Sequence, residues 1–337
     1  MNKLDNILLN PKSKPFIIAE AGSNHDQSIE KAKELIDVAS SSNAQMIKFQ
    51  LFNAETLYPD RKSDMYKLFK SIELNSHWLL DLKNYCKKKN ILFGCSAFDS
   101  TSLKLLKKIN ISSYKVGSSE MSNFDLIINI ASSNKTIFLS TGMSDLSDVV
   151  NTINLIKSIS KSNIVIMHCT SLYPLTYKNV NLNVINTYQK VFPDNVVGFS
   201  DHTLSNTSSI AALGLGAKVF EKHFTLNKKS NGPDHFYALE PKELSNFVLD
   251  LNNAHLALGS SVKNFLPEER KFSRNKSLYL IKNVKKGDKV SNSNIVLKSP
   301  PLGIDSKYLD FILGMKYSKN LNSDDVLKWS DILSNEK

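Results

Sequence analysis

Two histidines, two lysines and a group of hydroxyl and carboxyl side chains recur at the ends of short apolar runs in this 337-residue chain. His202 and His223 fall at the ends of VVGFSDH (196–202) and KVFEKHF (218–224). If these runs are neighbouring strands about 4.8 Å apart, both imidazoles can face one divalent cation and leave open positions for substrate or water. A hydrogen-bonded neutral histidine is the alternative for each. Lys48 and Lys115 end two further runs, and Ser96, Ser118, Ser119 and Ser140 add hydroxyl donors at the same level. Such a set would cradle a phosphate or carboxylate through charge-assisted hydrogen bonds, and two inward lysines would need an anion to offset them. The alternative is a pair of snorkelling edge lysines. Glu20, Glu120, Glu221 and Asp234 supply carboxylates for orienting hydroxyls or moving protons. Asp234 lies in NGPDH (231–235), whose Gly-Pro start makes a rigid turn that can aim it back at the same place; a plain surface turn is the alternative.

Positioning these groups requires parallel β/α units. The runs are FIIAE (16–20), MIKFQ (46–50), ILFGCS (91–96), SYKVG (113–117), TIFLST (136–141), NIVIMHCT (163–170), VVGFSDH and KVFEKHF. Segments of helical period lie between them, at 29–41, 77–89, 101–108, 144–159 and 204–215. Eight such units predict a (β/α)8 TIM barrel, an α/β fold, spanning 1–262. Taking alternate residues gives inward faces that start apolar or small and finish polar: Phe16/Ile18/Glu20, Met46/Lys48/Gln50, Leu92/Gly94/Ser96, Ser113/Lys115/Gly117, Phe138/Ser140, Ile164/Ile166/His168/Thr170, Val196/Gly198/Ser200/His202 and Val219/Glu221/His223. Catalytic groups of such barrels gather at the carboxyl ends of the strands, so the polar finishes mark one mouth. The charged, turn-rich stretch 263–276 reads as a linker, and 277–337 as a small β-rich domain too short to bury much alone.

Composition narrows the classes. The chain is 41% hydrophobic and 22% charged, an ordinary globular balance. Its formal charge of +11 raises nucleic acid as a partner, but Arg61, Arg270 and Arg274 are the only arginines and the lysines are scattered, which argues against it. With no apolar run of about 18 residues and no secretory leader pattern, no membrane role and a cytoplasmic location are expected. Cys86, Cys95 and Cys169 have neither disulfide nor zinc-site spacing and read as buried thiols.

The stretches AEAGSNH (19–25), IKFQ (47–50), KVGSSE (115–120), STGMS (140–144), HCTSLYP (168–174), GFSDHT (198–203), EKHFTL (221–226) and GPDH (232–235) resemble, in order, the signatures of the sialic acid synthase family. KNVKKGD (282–288) and LGI (302–304) resemble that family's antifreeze-like SAF domain. The resemblance implies a transferase that condenses phosphoenolpyruvate with an N-acylated hexosamine, giving a nine-carbon 2-keto-3-deoxy acid and phosphate. It implies that Lys48, Ser96, Lys115, Ser118, Ser140 and Ser200 hold phosphoenolpyruvate. Glu20, Tyr173 and Asp234 would contact the sugar, and Glu120 would handle the water or hydroxyl protons. His202 and His223 would bind a divalent metal, Mn2+ or Mg2+. A homodimer with the SAF domain near the partner's active site is also implied. In one respect the chain departs from the pattern: Ser299 stands where an acyl-contacting arginine is expected, and Lys298 beside it points elsewhere in an extended segment. Ser171 stands where some relatives have asparagine. Another phosphoenolpyruvate-dependent barrel synthase acting on a phosphorylated sugar would need more arginines near the mouth. A non-catalytic sugar-binding protein would not need the full set of histidines, lysines and carboxylates.

Overall fold

The structure is a computed structural model that describes residues 3–10, 12–272 and 276–333. Residues 273–275 of the expected linker, Arg274 among them, and 334–337 of the expected tail domain lie outside the described residues. The chain divides between Gly259 and Ser260 into two compact units.

In the first unit eight parallel strands close into a barrel in sequence order: β1 (Phe16–Gly22), β2 (Met46–Leu51), β3 (Leu92–Ala97), β4 (Ser113–Val116), β5 (Thr136–Ser140), β6 (Ile164–Cys169), β7 (Val196–Asp201) and β8 (Val219–His223). Because β1 pairs with both β2 and β8, no strand edge is left open. The helices are α1 (Lys3–Leu9), α2 (Ile29–Ser41), α3 (Ala54–Leu57), α4 (Asp64–Ile72), α5 (Leu79–Lys88), α6 (Ser100–Lys108), α7 (Phe124–Ala131), α8 (Leu146–Ile159), α9 (Val184–Val191), α10 (Thr207–Gly214) and α11 (Pro241–Leu258). The periodic segments of the sequence correspond to α2, α5, α6, α8 and α10. Local chemistry sets their ends. Ser28 and Asp99 accept hydrogen bonds from the first-turn amides of α2 and α6, and Asp145 with Asp148 forms a capping box on α8. Asn43, Asn90, Asn110 and Asn134 take positive φ just after α2, α5, α6 and α7, a use of asparagine that suits a chain rich in it.

Outward strand residues such as Ile47, Phe49, Ile137, Phe199 and Phe220 pack under the helices in one large core. Inside, Phe16, Ile18, Met46, Phe138, Val165, Met167 and Val219 fill the lower barrel, and Leu4 and Leu8 of α1 join this inner cluster. Gly94 and Gly198 make room for it: a Cβ there would lie 2.6 Å from Met46 Sδ and 2.5 Å from Met167 Sδ. One expected face is corrected. In β6, Val165, Met167 and Cys169 face inward, whereas His168 faces out, stacks on Phe199 and bonds the Val180 carbonyl at 2.7 Å. Both faces of IVIM are apolar, so alternation could not choose between them.

The second unit has a core of its own, contrary to the expectation from its length: Leu278, Leu280, Val284, Val290, Ile295, Ile304, Ile312, Tyr317, Leu321 and Leu327 are all buried together. Only β9 (Ser277–Leu280) and β10 (Ile295–Lys298) form a ladder of four pairs. Isolated bridges, such as Val284 with Leu321, knit the turns around it. Lys298 is held by Asp324, and Ser299 is exposed. Among the described residues no helix is long and apolar enough to cross a membrane.

His25, just after β1, is fully buried against Phe49 and Trp78, and its Nδ1 accepts the Gln27 amide. Burial lowers its pKa to about 4, only partly opposed by Asp26. The unfolded chain therefore binds a proton here that the folded one refuses, so stability falls as pH drops from about 6.5 towards 4. The expected loss from this group is about 2–3 kcal/mol between about pH 7 and pH 4.5. Urea unfolding across that range should show it in the native chain and a flatter acid limb in His25→Gln; equal slopes would contradict the assignment.

Candidate active site

At the carboxyl ends of the strands a cavity of about 720 Å³ opens, and eleven of the twelve residues to which the resemblance assigns roles line it: Glu20, Lys48, Ser96, Lys115, Ser118, Glu120, Ser140, Tyr173, Ser200, His202 and His223. Asp234, the twelfth, sits behind this lining, where it accepts a 2.7 Å hydrogen bond from Tyr237 and lies 4.0 Å from His223. The cavity also takes in Gln50, Ser119, Cys169, Ser171 and Glu221.

Its floor is ionic. Lys115 Nζ donates to both oxygens of Glu221 at 2.7 and 2.8 Å, a contact between β4 and β8 across the lumen. Lys48 Nζ lies 2.8 Å from Glu20 Oε2 and 3.7 Å from Glu221 Oε1, and donates to Ser96 Oγ at 3.1 Å. Gln50 donates to Glu20 and Ser200 to Glu221. All four ionic side chains are buried, with 1–6% of each exposed. The two positive charges are thus already offset by two carboxylates, which corrects the expectation that an external anion must balance them. What remains is donor capacity. An ammonium has three N–H groups; Lys115 spends two on Glu221, and Lys48 one on Ser96 while facing Glu20, so each keeps a donor for a ligand. Burial opposes the charge on Lys48, but Glu20 and Glu221 outweigh it and raise its pKa. For Lys115, burial wins over Glu221 and, with Lys48 adding repulsion, lowers it. Glu221 is also disfavoured by burial, yet Lys115 and Lys48 hold it well below the usual carboxylate range.

Above the floor stand the histidines, their ring centroids 5.7 Å apart. His202 is buried, and burial followed by repulsion from His223 lowers its pKa to about 3, so it is neutral near pH 7. Its Nδ1 lies 2.8 Å from the Thr170 carbonyl, which can only accept; the proton is on Nδ1 and Nε2 keeps its lone pair. His223 Nδ1 is 3.4 Å from the Tyr237 hydroxyl, whose own hydrogen goes to Asp234, so the same tautomer is favoured there. Tyr173 packs on His202 with centroids 4.1 Å apart and closes the side of the pair. Two nitrogen lone pairs, each fixed by a hydrogen bond on the other ring nitrogen, suit a divalent cation. Among the described residues no third histidine, cysteine or carboxylate completes the set, which leaves the remaining positions to substrate or water.

The serines form the wall between β4 and β6. Ser118 Oγ accepts the Gly142 amide at 3.1 Å and reaches Cys169 Sγ at 3.7 Å. A Cβ on Gly142 would lie 2.4 Å from Ser171 Oγ and 2.7 Å from Ser118 Oγ, so only glycine lets these hydroxyls converge. Glu120 is held by Ser119 at 3.2 Å and Asn123 at 2.7 Å. Tyr237 and Asn123 escaped the sequence reading because both act on a neighbouring site residue and stand at no strand end.

The ion set predicts strong coupling. Glu221→Gln should cost about 3–5 kcal/mol, because it leaves the buried Lys115 ammonium without its carboxylate while Lys48 keeps Glu20. Combining it with Lys115→Met should cost less than the sum of the single changes by at least about 1 kcal/mol. Urea unfolding of the four chains checks this, and additivity within about 0.5 kcal/mol would contradict the pairing.

A model of the NeuB family matches residues 35–263, and one of the SAF domain matches 275–333. The chain is 35% identical over 332 residues to the N,N'-diacetyllegionaminic acid synthase of Campylobacter jejuni, covering 94% of this chain and 99% of that one. It is 32% identical over 327 residues to human N-acetylneuraminate-9-phosphate synthase, covering 93% and 91%. A crystal structure of N-acetylneuraminic acid synthetase from Leptospira borgpetersenii, in complex with citrate, is 32% identical and superposes with a TM-score of 0.73 over 77% of this chain and 90% of that one. The order of signatures along the barrel, the SAF domain and the extent of these matches lead to one conclusion: the chain belongs to the NeuB family of nonulosonic acid synthases.

Proposed function

We propose that this enzyme condenses phosphoenolpyruvate with an N-acylated hexose to give a nine-carbon 2-keto-3-deoxy acid and phosphate. The observation that carries the reading is one cavity in which two lysines with spare donors lie beneath two adjacent histidines. The phosphate and carboxylate of phosphoenolpyruvate would take those donors together with Ser96, Ser118, Ser140 and Ser200. Because the charge of the floor is already balanced, anion binding relies on converging N–H and O–H groups in a water-poor site, where such bonds are strong.

Carbon 3 of the enol then faces the aldehyde. Its π pair forms the new carbon–carbon bond as the π bond of the aldehyde breaks, and that pair moves onto the aldehyde oxygen, which takes a proton. Water adds at carbon 2 and gives up a proton, for which Glu120, already positioned by Ser119 and Asn123, is the candidate acceptor in the wall. Collapse of the tetrahedral carbon to the ketone breaks its bond to the phosphate oxygen. Glu20 and Gln50 would orient sugar hydroxyls, with Tyr173 against the open carbon chain. His202 and His223 would hold Mn2+ or Mg2+ through Nε2, and a cation there would withdraw electrons from the aldehyde oxygen.

Phosphate should be released only when phosphoenolpyruvate and an N-acylated hexose are both present, with a product whose mass equals the sugar plus pyruvate; release without the sugar would contradict the condensation. For the cation, paramagnetic resonance of free Mn2+ titrated with enzyme should show one site per chain, weakened at least about tenfold in His202→Ala. Unchanged binding in that variant would overturn the ligand assignment.

A further inference from the structure

The mouth has two chemically different sides. Its floor and one flank carry ions, hydroxyls and imidazoles, whereas the flank supplied by the chain between β2 and β3, with Phe98 after β3, is apolar: Leu57, Tyr58, Met65, Phe69 and Phe98. Phe52 ties the aromatic members together, its ring centroid 5.2 Å from Phe69 and 5.9 Å from Phe98, while Tyr58 lies 5.0 Å from Phe69. Helix α4 has apolar residues at 65, 68, 69 and 72, yet it buries none of them, and Met65 is 49% exposed. An amphipathic helix ordinarily sinks such a stripe into a core; here Met65 and Phe69 line the cavity instead. Among the described residues no lysine or arginine lines this flank. Lys48 and Lys115, paired at the floor, are the only lysines or arginines in the lining; of the cations near it in sequence, Arg61, Lys67 and Lys70 pair with Glu55, Asp64 and Glu73, and Lys62 lies outside the lining.

We infer that the acceptor sugar carries a small apolar group, such as a methyl in place of a hydroxymethyl, and no phosphate at the end remote from its aldehyde. Met65 and Phe69 are then the residues that read this end. The inference rests on the proposed condensation, which fixes the aldehyde between the lysine floor and the histidines and sends the rest of the sugar along the remaining lining. A methyl placed on this wall leaves water for an apolar surface. A phosphate there would lose hydration without gaining a donor. An acceptor yielding a 9-phosphate product, of the kind the human relative's name states, would need a cation where this chain has Met65.

The test uses the full-length enzyme with phosphoenolpyruvate and three acceptors that differ only at carbon 6: N-acetylmannosamine, its 6-deoxy analogue and its 6-phosphate. Phosphate release should give the 6-deoxy sugar a kcat/KM at least about tenfold above that of the 6-hydroxy sugar, with the 6-phosphate lowest. Met65→Lys should cut the preference for 6-deoxy over 6-phosphate at least about tenfold, mainly through KM, and Met65→Leu should keep it. Equal or better use of the 6-phosphate by the native enzyme, or an unchanged preference in Met65→Lys, would overturn the inference. Calorimetric binding of the three sugars in the presence of phosphoenolpyruvate separates it from the parent reading. The 6-deoxy sugar binding best without turnover would overturn the condensation alone, and turnover with the 6-phosphate binding best would overturn the inference alone.

Discussion

Two ammonium groups and two carboxylates meet at the mouth of this barrel with only 1–6% of each side chain exposed, and the arrangement survives only because each charge has its opposite within reach. Four strands supply one member each: Glu20 from β1, Lys48 from β2, Lys115 from β4 and Glu221 from β8. Glu221 touches both lysines, so it couples neighbours in the sheet to a strand on the far side of the lumen. Closing the barrel in register is therefore a condition for burying any of the four. Buried pairs are poor sources of net stability; their value here is that they hold two lysine donors at fixed places at the floor of the cavity, where the proposed ligand's two anionic groups would meet them.

The same economy shapes the upper level. The histidines must be neutral to offer lone pairs, and burial beside one another keeps His202 so. Thr170 for one ring, and Tyr237 backed by Asp234 for the other, decide which nitrogen remains open. Anion donors below and nitrogen acceptors above give one cavity two chemically different levels. The apolar flank from α4 then adds a third chemistry, suited to the part of a sugar that does not react.

Much of this was legible from residue period alone. Seven of the eight strands put their inward faces where alternation placed them, because an apolar start and a polar finish leave only one register with a wet mouth and a dry floor. The sixth strand misled, since IVIM is apolar on both faces and His168 drew attention to the wrong one. Charge compensation was illegible for another reason: Lys115 and Glu221 are 106 residues apart and meet across the lumen, a contact no local pattern encodes. Tyr237 acts through His223 and Asp234, and Met65 and Phe69 lie on a helix that the periodicity did not single out. The SAF unit was recognisable by resemblance, but its core was not expected, because scattered bridges build it with little regular strand.

The central claim is that a charge-balanced floor binds phosphoenolpyruvate through its spare donors. A crystal structure of the enzyme with phosphoenolpyruvate tests it directly. The account predicts ligand oxygens within hydrogen-bond distance of Lys48 Nζ, Lys115 Nζ and the Ser96, Ser118 and Ser140 hydroxyls, with Glu221 still bridging the two lysines. A ligand bound outside this cavity, or one that displaces Glu20 and Glu221 from their lysines, would contradict it.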